Sequence, residues 1–151
     1  MRRVSRAIEV YKLTGRTQSE QAKLDAAREG DYRETLFALS WPREELYRRI
    51  DLRVDKMLEA GLIDEVRALM RDGNSHPTAM QAIGYKEIAA ALEGQISMDE
   101  AVTLVKKLSR NYAKKQLTWF KRDPRTVWIE AAGRGADEVA LEMIRYLEEH
   151  P

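Results

Sequence analysis

The longest periodic stretch in the chain runs from Met98 to Arg122. Val102, Val105, Leu108, Tyr112, Lys115 and Trp119 recur every three or four residues there, the spacing of one helix face. No Gly or Pro interrupts the stretch before Pro124. Ser97 with Asp99 and Glu100 offers a side-chain cap and two acids near the positive end of the helix dipole. The pattern predicts one long helix with those six residues as its mostly apolar face.

Shorter elements surround it. Val4, Ala7, Ile8 and Tyr11 share one side of an opening helix that should stop near Thr14-Gly15. Residues 16–31 are polar and predict either a short helix from Ser19 to Glu29 or a mobile connection. Thr35-Leu-Phe-Ala-Leu is a continuous apolar run and predicts a strand covered on both faces, as in a parallel sheet. Pro42 opens a helix with Glu44 and Glu45 in its first turn and Leu46, Ile50, Val54, Met57 and Leu58 on its buried side, ending at Gly61. Leu62 to Met70 predicts the next helix, with Ile63, Val66, Leu69 and Met70 inward and Gly73 as the stop.

Asn74-Ser-His-Pro reads as a turn, with His76 a loop histidine. Gly84 precedes a helix from Tyr85 to Leu92; it serves either as a helix–helix corner or as a close backbone approach to a base or phosphate. Arg125 to Glu130 predicts a second strand. Asp137 to Glu149 predicts a last helix with Val139, Leu141, Ile144 and Leu147 inward. The fold class is therefore mostly α with two short strands. Two such strands do not make a stable sheet alone, and the chain opens inside an uncapped helix. Both features lead us to expect a piece of a longer protein.

Charge sharpens this picture more than composition does. With 26 Lys and Arg against 25 Asp and Glu, the chain is not a polycation, so any anion binding must come from local segregation. The long helix shows it: between Glu100 and Asp123 there are seven Lys or Arg and no acid. Lys106, Arg110, Lys114 and Lys121 form a stripe beside the apolar face. It is either a solvated face or a surface for phosphate, pyrophosphate or nucleic acid. Without Cys and with only His76 and His150, thiolate and His-based metal centres are excluded in practice. No stretch approaches a membrane span and the start is too charged for a signal peptide, which leads us to expect a cytoplasmic protein.

Four segments in order resemble one family: Arg3-Val-Ser-Arg-Ala-Ile-Glu-Val-Tyr, Leu13-Thr-Gly, Gln81-Ala-Ile-Gly-Tyr-Lys-Glu and Ser109-Arg-Asn-Tyr-Ala-Lys-Lys-Gln-Leu-Thr-Trp-Phe. They are similar to tRNA dimethylallyltransferases, also called tRNA isopentenyltransferases. The resemblance implies transfer of a dimethylallyl group from dimethylallyl diphosphate to N6 of adenine 37 of tRNA, with Mg²⁺ as cofactor. It implies a P-loop kinase-like parallel sheet with a helical insertion that embraces the tRNA. No G-x-x-x-x-G-K-[ST] loop occurs in these residues. On that ground the chain is expected to be the C-terminal portion of the family. Residues 1–31 would be the end of the insertion and residues 32–151 the C-terminal part of the core, lacking the phosphate loop and general base and inactive alone, with the Mg²⁺ ligands elsewhere.

The resemblance also implies roles. Arg110 would neutralise the departing diphosphate, the main electrostatic task of the reaction. Arg2, Arg3, Val4, Ser5 and Arg6 would hold tRNA backbone. Gln81, Ala82, Ile83, Gly84, Tyr85 and Lys86 would line the path of the RNA and its displaced base. Lys114, Lys115, Gln116, Leu117, Thr118, Trp119, Phe120 and Lys121 would extend that contact, with Trp119 either core or stacking surface, and spacing favouring core. No metal ligand is assigned. The expected partners are the tRNA anticodon stem-loop and dimethylallyl diphosphate, with no membrane, in a full-length protein that is a monomer. The rival readings are a non-catalytic RNA-binding helical module and the C-terminal half of another P-loop phosphotransferase.

Overall fold

The computed structural model describes residues 2–27, 34–72 and 78–150. The Asn74–Pro77 turn, His76, Gly73 and the start of the expected strand at Tyr32 lie outside the described residues. The chain divides into two compact units, Met1–Glu34 and Thr35–Pro151.

The first unit contains α1 (Arg2–Thr14) and α2 (Gln18–Ala27). Gly15, at φ +69°, ends α1 where expected, donating its N–H to the Tyr11 carbonyl at 2.8 Å. Thr17 and Glu20 cap α2 reciprocally: Glu20 accepts from the Thr17 backbone at 2.8 Å, and Thr17 Oγ1 accepts from the Glu20 N–H at 3.3 Å. The polar stretch after Gly15 thus chooses helix over mobile connection. The apolar side of α1 is not a core, however; Val4, Ile8 and Tyr11 are exposed.

The second unit holds β1 (Leu36–Ser40), α3 (Arg43–Glu59), α4 (Leu62–Arg71), a 3₁₀ turn at Ala79–Gln81, α5 (Tyr85–Leu92), α6 (Met98–Phe120), β2 (Thr126–Glu130) and α7 (Ala136–Glu149). β1 and β2 pair in parallel, from Leu36 opposite Thr126 to Ser40 opposite Glu130. A parallel pair needs a crossover, and here the whole helical body between the strands provides it. The expectation of a strand covered on both faces is corrected: Ala38 is buried but Leu39 is 44% exposed.

Two clusters of buried side chains hold this unit together. Leu62 and Val66 of α4, Ile88 and Ala89 of α5 and Ala101 of α6 make the larger one. Ile129, Ala131 and Val139 make the smaller, with Phe37, Trp41 and Met143 packed on it. Three helix faces turn out differently from the sequence pattern. In α4 Leu62 and Val66 are buried, Ile63 packs against the same cluster and Leu69 is half-buried, while Met70 is exposed. In α7 only Val139 is buried; Leu141, Ile144 and Leu147 face out, and Met143 and Tyr146 turn inward instead.

The third and most consequential is α6. Ala101 and Val105 are buried and Leu108, Ala113, Leu117 and Phe120 half-buried, whereas Tyr112, Lys115 and Trp119 are exposed. An 18-residue step from 101 to 119 accumulates no net drift at 3.6 residues per turn, so spacing alone does not reject Trp119. What decides is the neighbour along the second half of α6: there Ala113 and Gln116 meet the same groove as Leu46 and Ile50 of α3.

Ser97 and Glu100 cap α6 as expected, with Glu100 accepting the Ser97 N–H at 2.8 Å. Glu87 plays the same part at α5, accepting the Gly84 N–H at 2.8 Å. Past α6, Arg125 holds Asp123 through Nη2 at 2.8 Å and through its backbone N–H at 3.0 Å. The Arg125 side chain first, and its N–H second, lower the Asp123 carboxyl to about 2.

Ile88 is fully buried. Ile88→Ala should destabilise the protein by about 2–5 kcal/mol in urea unfolding, because the cavity it leaves lies among three helices. Asp123, with its folded value depressed, stabilises the fold above its ordinary value and loses that contribution as pH falls toward about 2. The Tm advantage of the natural protein over Asp123→Asn should therefore be constant above pH ~5 and vanish progressively below it.

Candidate functional site

The site is built on the contact between α3 and α6. These helices run antiparallel, as two ion pairs one turn apart show: Asp55 Oδ1 to Lys106 Nζ at 2.6 Å and Asp51 to Arg110 Nη1 at 2.5 and 2.7 Å. Asp51 and Asp55 are spaced i, i+4 on α3, and so are Lys106 and Arg110 on α6, so the pairs stack along one flank. Part of the basic stripe is thereby neutralised inside the protein. Neither a purely solvated face nor a surface wholly free for an outside anion describes Lys106 and Arg110, whose charges sit on Asp55 and Asp51.

Farther along the same flank the charge balance changes. Tyr47, one turn before Asp51, accepts from Arg43 Nε at 3.2 Å, and the Lys114 ammonium acts on the same hydroxyl. The Arg43 guanidinium carbon lies 5.3 Å from the Tyr47 ring centre and that of Arg110 lies 6.0 Å from it. Three cations thus gather round one tyrosine, with one carboxylate, Asp51, bonded into the group. The phenol registers the excess: desolvation pushes it up, but the bond to Arg43 and the charges of Arg43 and Lys114 outweigh that and bring it below its ordinary value.

The other flank of the helix pair is a groove of about 690 Å³. Its α3 wall is Leu46, Ile50, Val54 and Met57, and its α6 wall includes Ser109, Ala113 and Gln116. Gln81, Ala82 and Ile83 close its rim. Two motifs far apart in sequence therefore meet at one groove. Gly84 does not approach it as a bare backbone donor. It is buried at φ +104°, its N–H belongs to Glu87, and a Cβ there would touch Leu62 and Val105 at 3.8 and 3.9 Å. It is a helix corner. Tyr85 is likewise turned inward, donating to Glu65 Oε1 at 2.6 Å, and that bond raises its phenol above the ordinary range. Lys86 is exposed.

The last part of α6 carries an open shelf of about 290 Å³ formed by Lys114, Lys115, Thr118, Trp119 and Arg122. Trp119 is 63% exposed and meets Phe120 edge-on at 5.0 Å, so the core assignment is corrected to a surface one. Lys121 is exposed as well, while Leu117 and Phe120 face a smaller cavity with Phe37, Trp41 and Trp128. In the first unit Arg3, Val4, Ser5 and Arg6 are exposed on α1, and Arg6 pairs with Glu9 at 3.4 Å. Arg2 begins α1; its side chain is not described.

Sequence reasoning missed Arg43, Tyr47, Asp51 and Asp55. Their signal is an i, i+4 row on the helix after Pro42, where Arg43 reads only as one of several arginines (with Arg48, Arg49 and Arg53) on the outer faces. The Mg²⁺ implied by the resemblance finds no site here: among the described residues no group of three or more His, Cys, Asp or Glu could hold a metal ion. No described helix is long and apolar enough to cross a membrane.

A family model described as IPP transferase matches residues 1–123. The chain belongs to the IPP transferase family. This is a family of tRNA-modifying prenyltransferases. A tRNA dimethylallyltransferase of Carboxydothermus hydrogenoformans is 44% identical over 144 residues, which are 95% of this chain and 46% of that protein. One from Heliobacterium modesticaldum is 47% identical over 132 residues, 86% of this chain and 41% of that protein. The crystal structure of tRNA delta(2)-isopentenylpyrophosphate transferase from Staphylococcus epidermidis matches with a TM-score of 0.76 and 39% identity, over 99% of this chain and 48% of that one.

These matches correct the expectation that the chain is only the C-terminal portion of the family. The family model runs from residue 1 to residue 123, across the first unit and most of the second, and the S. epidermidis structure matches essentially the whole chain. The same findings overturn three dependent statements: a fold made of the C-terminal part of a P-loop-like core plus the end of an insertion, an enzyme fragment lacking the phosphate loop and general base, and inactivity in isolation. Mostly helical structure with a small parallel sheet stands. The inference had rested on a missing Gly-rich loop and an uncapped first helix, and neither measures how much of the family's domain a chain carries. The chain spans somewhat under half the length of the curated relatives it matches.

Because Trp119 is exposed, Trp119→Ala should change unfolding stability by less than about 0.5 kcal/mol. A loss of several kcal/mol in denaturant titration would return Trp119 to the core.

Proposed function

We propose that this chain serves the transfer of a dimethylallyl group from dimethylallyl diphosphate to N6 of an adenine in the anticodon loop of tRNA. The observation that carries the reading is the convergence of Gln81–Ile83 with Ser109 and Gln116 on one groove, with the cations around Tyr47 on the opposite flank of the same helix pair. The family match and the names of its relatives support the reaction class.

Displacing diphosphate from an allylic carbon places negative charge on the leaving oxygens, and fixed cations that need not reorganise are the effective way to stabilise it. In this reading Arg110 supplies that charge, helped by the cations around Tyr47. The groove receives the loop nucleotide, with Gln81, Ala82, Ile83 and Lys86 against the RNA while Gly84 and Tyr85 shape the turn behind them. Lys114, Lys115, Gln116, Thr118 and Lys121 carry the strand onward along α6, and Trp119 offers a face for a base. Leu117 and Phe120 support that helix from beneath. Arg2 to Arg6 on α1 hold backbone phosphates. Mg²⁺ belongs to the reading through the family alone, and no step is assigned to it.

Arg110→Ala should lower turnover by about 10²–10³-fold with little change in tRNA affinity, the signature of a group acting on the leaving charge. Steady-state kinetics with both substrates varied, on the protein as its gene encodes it, measures this. Unchanged turnover would remove Arg110 from the chemistry and leave the RNA-binding module as the better account. Lys115→Ala should instead weaken tRNA binding and flatten its salt dependence by about one unit of log–log slope.

A further inference from the structure

Arg110 is held by one corner only. Its Nη1 donates to both oxygens of Asp51, at 2.5 and 2.7 Å, and its Nε and Nη2 have no partner among the described residues. Those two nitrogens carry parallel N–H bonds, and a parallel pair is what grips two oxygens of one phosphoryl group. Asp51 could have taken that fork in the common two-nitrogen pairing and does not. Asp55 and Lys106, one turn along, make a useful contrast. An ammonium is a point charge with no plane to orient, so that pair can fix register but cannot aim anything.

The guanidinium plane has a second constraint in the Tyr47 ring, 6.0 Å from its central carbon. The Arg110 and Asp51 side chains are 29% and 35% exposed, so the pair is partly shielded but still reachable from solvent.

We propose that Asp51 is a positioning residue: it pins Arg110 through Nη1 so that the Nε–Nη2 fork is set in advance for the oxygens of a diphosphate. The inference rests on the role given to Arg110 above. A free arginine must give up rotamer freedom when it meets its anion, and one fixed beforehand gives up less. The carboxylate also reduces the net charge of the arginine, so its contribution is geometric rather than coulombic. Asp51 acts through Arg110 and touches no reacting atom.

The test is a double-mutant cycle on the protein as its gene encodes it, with turnover, the KM for each substrate and inhibition by inorganic pyrophosphate as readouts. Asp51→Asn should lower turnover about 10- to 100-fold and weaken pyrophosphate inhibition, with the tRNA KM within about twofold. Asp51→Glu should recover part of the loss. Asp51→Asn combined with Arg110→Ala should be no slower than Arg110→Ala alone, because the carboxylate has nothing left to aim. Additive losses in the double mutant, or full turnover in Asp51→Asn while Arg110→Ala is slow, would overturn the positioning role and leave Arg110's own role standing. Full turnover in Arg110→Ala would instead remove the reading beneath it. The charge-swapped protein, Asp51→Arg with Arg110→Asp, keeps the ion pair and guards against a mere folding defect. It should fold and stay as slow as Arg110→Ala; restored turnover would show that placement of the guanidinium does not matter.

Discussion

The antiparallel seating of α3 on α6 is the constraint from which the rest follows. Val54 and Val105, both nearly fully buried, lie on these two helices. Burying one such side chain contributes about 1.5–3 kcal/mol, whereas a partly exposed ion pair contributes about 0.2–1 kcal/mol. Apolar packing therefore holds the helices together, and the two Asp–cation pairs select the register. A slip of one turn would set Asp51 against Lys106 and leave Asp55 beyond the stripe. The same register puts Ser109 and Gln116 opposite Leu46 and Ile50 and so forms the groove.

Charge segregation on α6 has two uses that sequence does not separate. From Lys106 to Arg110 the stripe is matched by α3 carboxylates, Asp55 and Asp51. Near its C-terminal half α3 offers Tyr47 and Arg43 instead, and positive charge accumulates. The change takes place within a single turn of α3, between Asp51 and Tyr47. Arg110 stands at that boundary, bonded to the last carboxylate and close to the ring that the other cations share. The lowered Tyr47 phenol is what an ionisable group does in such a field. A site of this kind needs no large net charge on the chain.

The smaller core explains why the two strands are where they are. Ile129 and Ala131 on β2 and its extension pack with Val139 of α7, and Phe37 of β1 meets Tyr146 edge-on at 5.5 Å. This anchors both strands beside the end of α6, where Leu117 and Phe120 face a cavity shared with Phe37, Trp41 and Trp128. With those two side chains taken up beneath the helix, Trp119 and the lysines around it are left on the outer side. The sheet is thus a support that decides which face of α6 is free.

Local rules carried the elements themselves. The cap at Ser97 and Glu100, the glycine stops at Gly15 and Gly61, the proline before α3 and the β-branched run at Thr126–Glu130 act within a few residues, so the sequence alone placed both strands and the other α-helices near their true bounds, left α2 as one of two alternatives and gave no sign of the 3₁₀ turn at Ala79–Gln81. The four motifs also sufficed to indicate the family. Which face of each helix is inside was another matter. Periodicity reports that a stripe exists but not what lies against it, and on α4, α6 and α7 the outcome depended on neighbours distant in sequence. Tertiary structure alone paired Asp51 with Arg110 and Asp55 with Lys106 across more than fifty residues, exposed Trp119, enclosed Gly84, and brought Gln81 to Ser109. Local interactions determine where a chain coils or extends; which charges are cancelled and which remain for a ligand is decided only when two surfaces meet.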